Sequence, residues 1–143
     1  MRFTAQSAKS TEQVRETDSA ENALSNLIIG AAIEVHKQLG PGLLESAYEH
    51  ALAYEFTVLD IPHIRQKPVP VLYKGVALDC DFRLDFLVCG LVVVELKAVE
   101  ALLPVHEAQV ITYLKLTGCK LGLVLNFNVR LMRDGIQRIA YHL

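Results

Sequence analysis

No run in this sequence approaches the roughly 18 uninterrupted apolar residues that a membrane helix needs. The longest candidate, residues 84–94, is broken by Asp85 and Gly90, so no membrane-spanning role is expected. The N-terminus has no apolar signal-peptide core, and secretion is not expected either. Cysteine is scarce: Cys80, Cys89 and Cys119 form no C-x-x-C pair and are odd in number. That usage fits reduced thiols in a cytoplasmic protein and argues against a cysteine-rich zinc site. An excess of positive charge is also missing. A formal net charge of −2 argues against gripping nucleic acid by bulk electrostatics, although the segment from Lys120 onward is locally basic, with Arg130, Arg133 and Arg138 against Asp134 alone. Internal repeats and low-complexity tracts are absent.

What is present is a chain of 143 residues, 52% hydrophobic and 21% charged, enough for one well-packed domain and short for two. Residues 1–22 are polar, mixed in charge and without apolar period, and read as a disordered or loosely ordered tail; residues 23–143 read as the domain. Leu24, Leu27, Ile28, Ala31, Val35 and Leu39 recur at helical spacing, and Gly40-Pro41-Gly42 stops that helix. A second helix carries Leu44, Tyr48, Ala51, Leu52, Phe56 and Leu59. Residues 66–73 contain Pro68 and Pro70, which suits an edge strand. Residues 80–88 and 91–98 predict a hairpin through Cys89-Gly90. Residues 104–117 predict a third helix, with proline at its first turn and Gly118 just past its end; residues 120–127 and 136–141 predict two more strands. The order is ααβββαββ, an α/β fold with a mixed β-sheet flanked by helices.

Three charges stand inside apolar strands: Asp85 on one arm of the hairpin, Glu95 and Lys97 on the other. Burying a charge is costly unless it is paired, metal-bound or functional. Side chains alternate along a strand, so Glu95 and Lys97 share a face. Two registers are open for Asp85. A two-residue loop at Cys89-Gly90 puts Asp85 opposite Val94 and on the other face from Glu95. A three-residue loop of Val88, Cys89 and Gly90 pairs Leu87 with Leu91 and makes Glu95 the diagonal neighbour of Asp85 on the same face. In the second register two carboxylates can reach one Mg²⁺, a hard cation that prefers oxygen ligands and often keeps its waters. Such an ion polarises a phosphoryl oxygen and lowers the pKa of a bound water, and Lys97 can orient that water or stabilise negative charge. A structural ion-pair network of Arg83, Asp85, Glu95 and Lys97 is the other reading.

Asp85 followed by Glu95-Leu96-Lys97 resembles the D…(D/E)-x-K signature of the PD-(D/E)XK nuclease superfamily. Gly42-Leu43-Leu44-Glu45-Ser46-Ala47-Tyr48 resembles the motif that names its prokaryotic GxxExxY family. Residues 31–36, 94–99 and 104–109 also resemble that family, and the resemblance runs from about residue 24 to the C-terminus. It implies a restriction-endonuclease-like core and a metal-dependent nuclease hydrolysing phosphodiester bonds of DNA or RNA. It implies Asp85, Glu95 and the Leu96 carbonyl as ligands of Mg²⁺ or Mn²⁺, with Lys97 as the catalytic lysine. The chain departs from the superfamily name in carrying Leu84, not proline, before Asp85.

Glu45 would project from the second helix toward the site as a further metal ligand, the alternative being a carboxylate in a first helical turn, favoured by the dipole. Tyr48, one turn later, reads as core. Gln109 and Tyr113, four apart on the third helix, resemble the Q-x-x-x-Y element of exonuclease-like branches and would position substrate. His106-Glu107 lacks the second histidine of a zinc-protease helix, since Val110 stands four residues on. A domain this small is expected to need a second copy or a partner protein to grip a duplex. The rival function is a catalytically inactive module that keeps the nuclease fold for binding alone.

Overall fold

The computed structural model describes residues 19–143. The tail expected over residues 1–22 lies outside the described residues as far as residue 18, and the first helix begins earlier than its apolar period suggests. α1 spans Ala20–Leu39, with Ser19 as N-cap and its hydroxyl accepting the Asn22 amide at 3.1 Å. Gly40 closes it with φ 70°. α2 spans Glu45–Val58. Then come β1 (His63–Tyr73), β2 (Val76–Val88), β3 (Val92–Lys97), α3 (Pro104–Thr117), β4 (Leu121–Asn126), one turn of 3₁₀ helix (Met132–Gly135) and β5 (Ile136–Ala140). The observed order is the expected ααβββαββ.

The five strands form one sheet in the order β1-β2-β3-β4-β5, with β1 at an edge as Pro68 and Pro70 require. Only β3 and β4 run parallel, and α3 is their crossover. Every residue of β3 except Lys97, and every residue of β4, is buried, the signature of strands covered on both faces. On one side α1 and α2 pack Ile28, Tyr48, Leu52 and Phe56 against Phe86, Val94, Leu96 and Leu123. On the other α3 packs Val110 and Leu114 against Val93 and Val124. α3 comes so close that a β-carbon at Gly122 would lie 2.5 Å from a Val110 methyl.

The β2–β3 register differs from both sequence expectations. Val88 pairs with Val92, Leu87 with Val93 and Phe86 with Val94. The loop is therefore Cys89, Gly90 and Leu91, one residue later than expected. Cys89 (φ 53°) and Gly90 (φ 67°) are both left-handed, and the Leu91 amide closes the turn on Val88 O at 2.9 Å. Carried one step beyond the last paired residues, that register would set Asp85 across from Glu95 rather than diagonal to it. Alternation along β2 breaks at this point, since Leu84 packs with the α3 core and Phe86 with the α1–α2 core.

Candidate active site

The regular ladder between β2 and β3 stops at Phe86 and Val94, and the two acids take over the backbone bonds that would have followed. Glu95 Oε2 accepts the Asp85 amide at 2.9 Å, and Asp85 Oδ2 accepts the Leu96 amide at 2.8 Å. Each carboxylate thus holds the backbone of the opposite strand, which fixes both side chains without burying an unmet amide. Asp85 Oδ1 accepts from Gln66 Nε2 at 3.2 Å. Among the described residues no bond engages Glu95 Oε1, the open oxygen of the pair.

Glu95 is 8% exposed. Burial and then the Asp85 charge push its carboxyl up to about 8, against the opposing pull of the Asp85 amide and Lys97. Burial also raises Asp85, with the Glu49 and Glu45 charges adding to the shift, while the Leu96 amide and Gln66 lower it. Among the described residues the only ion pair within 4.0 Å is Arg65–Glu49, at 3.1 Å. Arg83 instead donates to Gln66 O at 3.1 Å, so the ion-pair network of Arg83, Asp85, Glu95 and Lys97 does not form. The acids lie together, desolvated and without a side-chain ion pair among the described residues.

Lys97 follows Glu95 by one strand step, half-buried, and its charge reaches Glu95. Glu45 opens α2, exposed, and acts on both acids through charge. Tyr113 stacks on Phe82 with ring centroids 4.3 Å apart; burial and then the Glu95 and Asp85 charges raise its phenol, so it borders the acid pair. Gln109 is exposed one turn earlier on α3 and bonds none of these residues. Leu96 joins the site through its amide, its side chain lying in the α1–α2 core. Tyr48 is fully buried: it stacks on Phe127 at 4.5 Å, donates to Gly40 O at 2.6 Å and accepts the Leu43 amide at 3.1 Å. It pins the loop that launches α2, and with it Glu45. His106 accepts the Leu103 amide on Nδ1 at 2.9 Å, a helix cap rather than a ligand.

Sequence reading missed three contributors. Glu49 lies one turn after Glu45 on α2 and accepts from Gln66 Nε2 at 2.9 Å; its i, i+4 spacing from Glu45 was the available signal. Asn126, 2% exposed, accepts the Val99 amide and donates to Val99 O, both at 3.0 Å. That clamp fixes the chain leaving Lys97, and an amide at the end of an apolar strand was its signal. Gln66 had no signal.

Among the described residues no three His, Cys, Asp or Glu side chains gather as a metal cluster. The donor set is two carboxylates, which suits Mg²⁺, an ion commonly held by one or two carboxylates together with waters and substrate phosphate. A buried Glu95, a half-buried Asp85 on the adjacent strand and a lysine one step on stand on a mixed sheet with helices packed on both faces. A family model for the PD-(D/E)XK nuclease superfamily matches residues 22–139, and the chain belongs to that superfamily. No curated protein and no solved structure matches it.

Proposed function

We propose that this chain hydrolyses phosphodiester bonds of nucleic acid with Mg²⁺ or Mn²⁺, as a member of the GxxExxY branch. The observation that carries the reading is the acid pair: two desolvated carboxylates whose shared environment holds Glu95 at about 8, with Glu95 Oε1 open and no lysine or arginine in ion-pair contact with either acid among the described residues. Such an arrangement is unfavourable for an ionised apo protein and is relieved by a divalent ion. When bound, the ion polarises a phosphoryl oxygen and lowers the pKa of a coordinated water.

The chain's own residues do the rest. Asp85 and Glu95 would supply the anionic oxygens, with the Leu96 carbonyl as a further ligand; Glu45 is exposed and not gathered with them as the side chains stand, and would join as a ligand only by swinging in from the start of α2. The bonds from Leu96 N and Asp85 N keep the carboxylates from rotating away. Lys97 brings a positive charge to the side of Glu95, where it stabilises charge developing on a phosphate. Gln109 and Tyr113 on α3 face substrate, Tyr113 with its ring fixed by Phe82.

The test is a cleavage assay on single- and double-stranded DNA and RNA with Mn²⁺ or Mg²⁺, beside calorimetric cation titration. Wild type is expected to bind and cleave. Glu95→Gln should lose cation binding while staying folded. Lys97→Ala should still bind but cleave about 100-fold or more slowly, the usual scale for losing a charge-stabilising group. Absence of both cleavage and binding in wild type would leave a nuclease fold used for binding alone.

A further inference from the structure

Gln66 has a backbone conformation that strands do not use. Its φ is 51°, within β1, at the point where the β1–β2 ladder passes from Arg65↔Phe86 to Lys67↔Leu84 and leaves Gln66 and Asp85 unpaired. Non-glycine residues at positive φ are uncommon, and they persist where the surroundings over-determine them. Here the surroundings are specific. The Gln66 carboxamide donates from Nε2 to Glu49 Oε1 at 2.9 Å and to Asp85 Oδ1 at 3.2 Å, so both amide hydrogens meet carboxylates and the amide has one sensible orientation. The Gln66 backbone carbonyl accepts from Arg83 Nη1 at 3.1 Å. Glu49 is held in turn by Arg65, whose Nη2 also lies 3.0 Å from His50 Nδ1. A chain of bonds therefore runs from α2 through Glu49 and Gln66 to Asp85, and on to the Leu96 amide on β3.

We propose that Gln66 is a positioning residue for the acid pair: its left-handed backbone swings the carboxamide between Glu49 and Asp85, and so sets the Asp85 carboxylate against the strand that carries Glu95 and Lys97. A regular strand residue at 66 would pair its backbone with β2 and leave Asp85 Oδ1 without a neutral donor. An arginine or lysine there would neutralise the pair and compete with a cation. A carboxamide donates to both carboxylates and adds no charge. In catalysis this role rests on the nuclease reading; as an account of how Asp85 is held, it stands on the bonds alone.

The experiment uses the full chain with Gln66→Gly and Gln66→Asn. Both residues tolerate left-handed backbone, but glycine removes the carboxamide and asparagine shortens it by one methylene. Amide exchange is followed by NMR at Leu96, with Val94 as the internal reference, and Mn²⁺ binding by calorimetry. Expected in both variants are a near wild-type unfolding midpoint and Leu96 exchange about tenfold faster relative to Val94, the scale of one lost hydrogen bond. Mn²⁺ affinity should fall about 10- to 100-fold, as when a ligand's supporting bond is removed. Wild-type exchange at Leu96 in both variants overturns the proposal. So does a rise shared equally by Val94 with a lowered midpoint, which assigns Gln66 a purely structural role. If wild type itself takes up no Mn²⁺, the nuclease reading fails on its own account, and Leu96 exchange still decides the role of Gln66.

Discussion

Glu95 is held near 8 by burial and by the Asp85 charge, against an ordinary value of 4.5. Between those two values the folded chain keeps a proton that the unfolded chain has released. Stability is therefore greatest below about 4.5 as far as this group is concerned, and it is lost as pH rises through about 8. Asp85 is shifted in the same direction. In chelator, the unfolding midpoint of wild type should fall between pH 5 and 8.5. Glu95→Gln keeps the shape and removes the charge, so its midpoint should be flatter with pH. At pH 8 it should exceed wild type by about 1–3 kcal/mol, the scale of relieving a buried, unpaired carboxylate. A variant less stable than wild type at pH 8 would mean that the carboxylate is already compensated. Divalent cation should reverse the order, stabilising wild type and leaving the variant unchanged. Glu95 and Lys97 could be picked out of the sequence because charge inside an apolar strand is costly and asks for a reason. Gln66 could not, because glutamine at an edge strand is ordinary and its left-handed backbone comes from partners that are 17 and 19 residues away.

Elements carry the site only as well as their joints hold. Two glycines mark joints with no room for a side chain, and they differ in what lies opposite. A β-carbon at Gly122 meets a Val110 methyl at 2.5 Å, the end of a side chain that can turn. A β-carbon at Gly135 meets the backbone oxygen of Asn126 at 2.0 Å, and Asn126 is the residue that clamps Val99 behind Lys97. Gly122→Ala should therefore cost about 1–3 kcal/mol, as overpacking does, with site function retained. Gly135→Ala should cost more and weaken cleavage as well, because the 3₁₀ turn cannot move off without dragging the end of β4. Thermal melts beside cleavage rates separate the two; equal losses in both variants would show that the Asn126 clamp does not reach the site. Element order was readable because helical and strand periods alternate cleanly between residues 24 and 140. The β2–β3 register was not, since it depends on Cys89 and Gly90 both turning left-handed and Leu91 being left out of the ladder. Nothing in Val88-Cys89-Gly90-Leu91 distinguishes that loop from one starting a residue earlier.

The fold divides the charge that looked continuous in the sequence. Lys120 precedes β4, while Arg130 and Arg133 follow it, exposed, in the turn after Asn126. Six strand residues put the two groups about 20 Å apart. Lys97 lies beside Asn126 in the parallel pairing of β3 with β4, so Arg130 and Arg133 leave the sheet at the end where the acid pair sits and Lys120 lies at the other. A net charge of −2 gives the whole molecule no bulk attraction for nucleic acid, so local cations must supply it. If Lys97, Arg130 and Arg133 each meet a phosphate, log affinity against log salt should have a slope of about −2 to −3, at about 0.7–0.9 per phosphate. Arg133→Ala should weaken binding across all sequences and make the slope shallower by about one unit, whereas Lys120→Ala should leave it unchanged. A slope near twice the expected value would mean that two copies of the chain grip one nucleic acid, each through the same three cations. Arg133→Ala would then remove about two units, and that doubled response would distinguish a paired grip from extra contacts within a single copy.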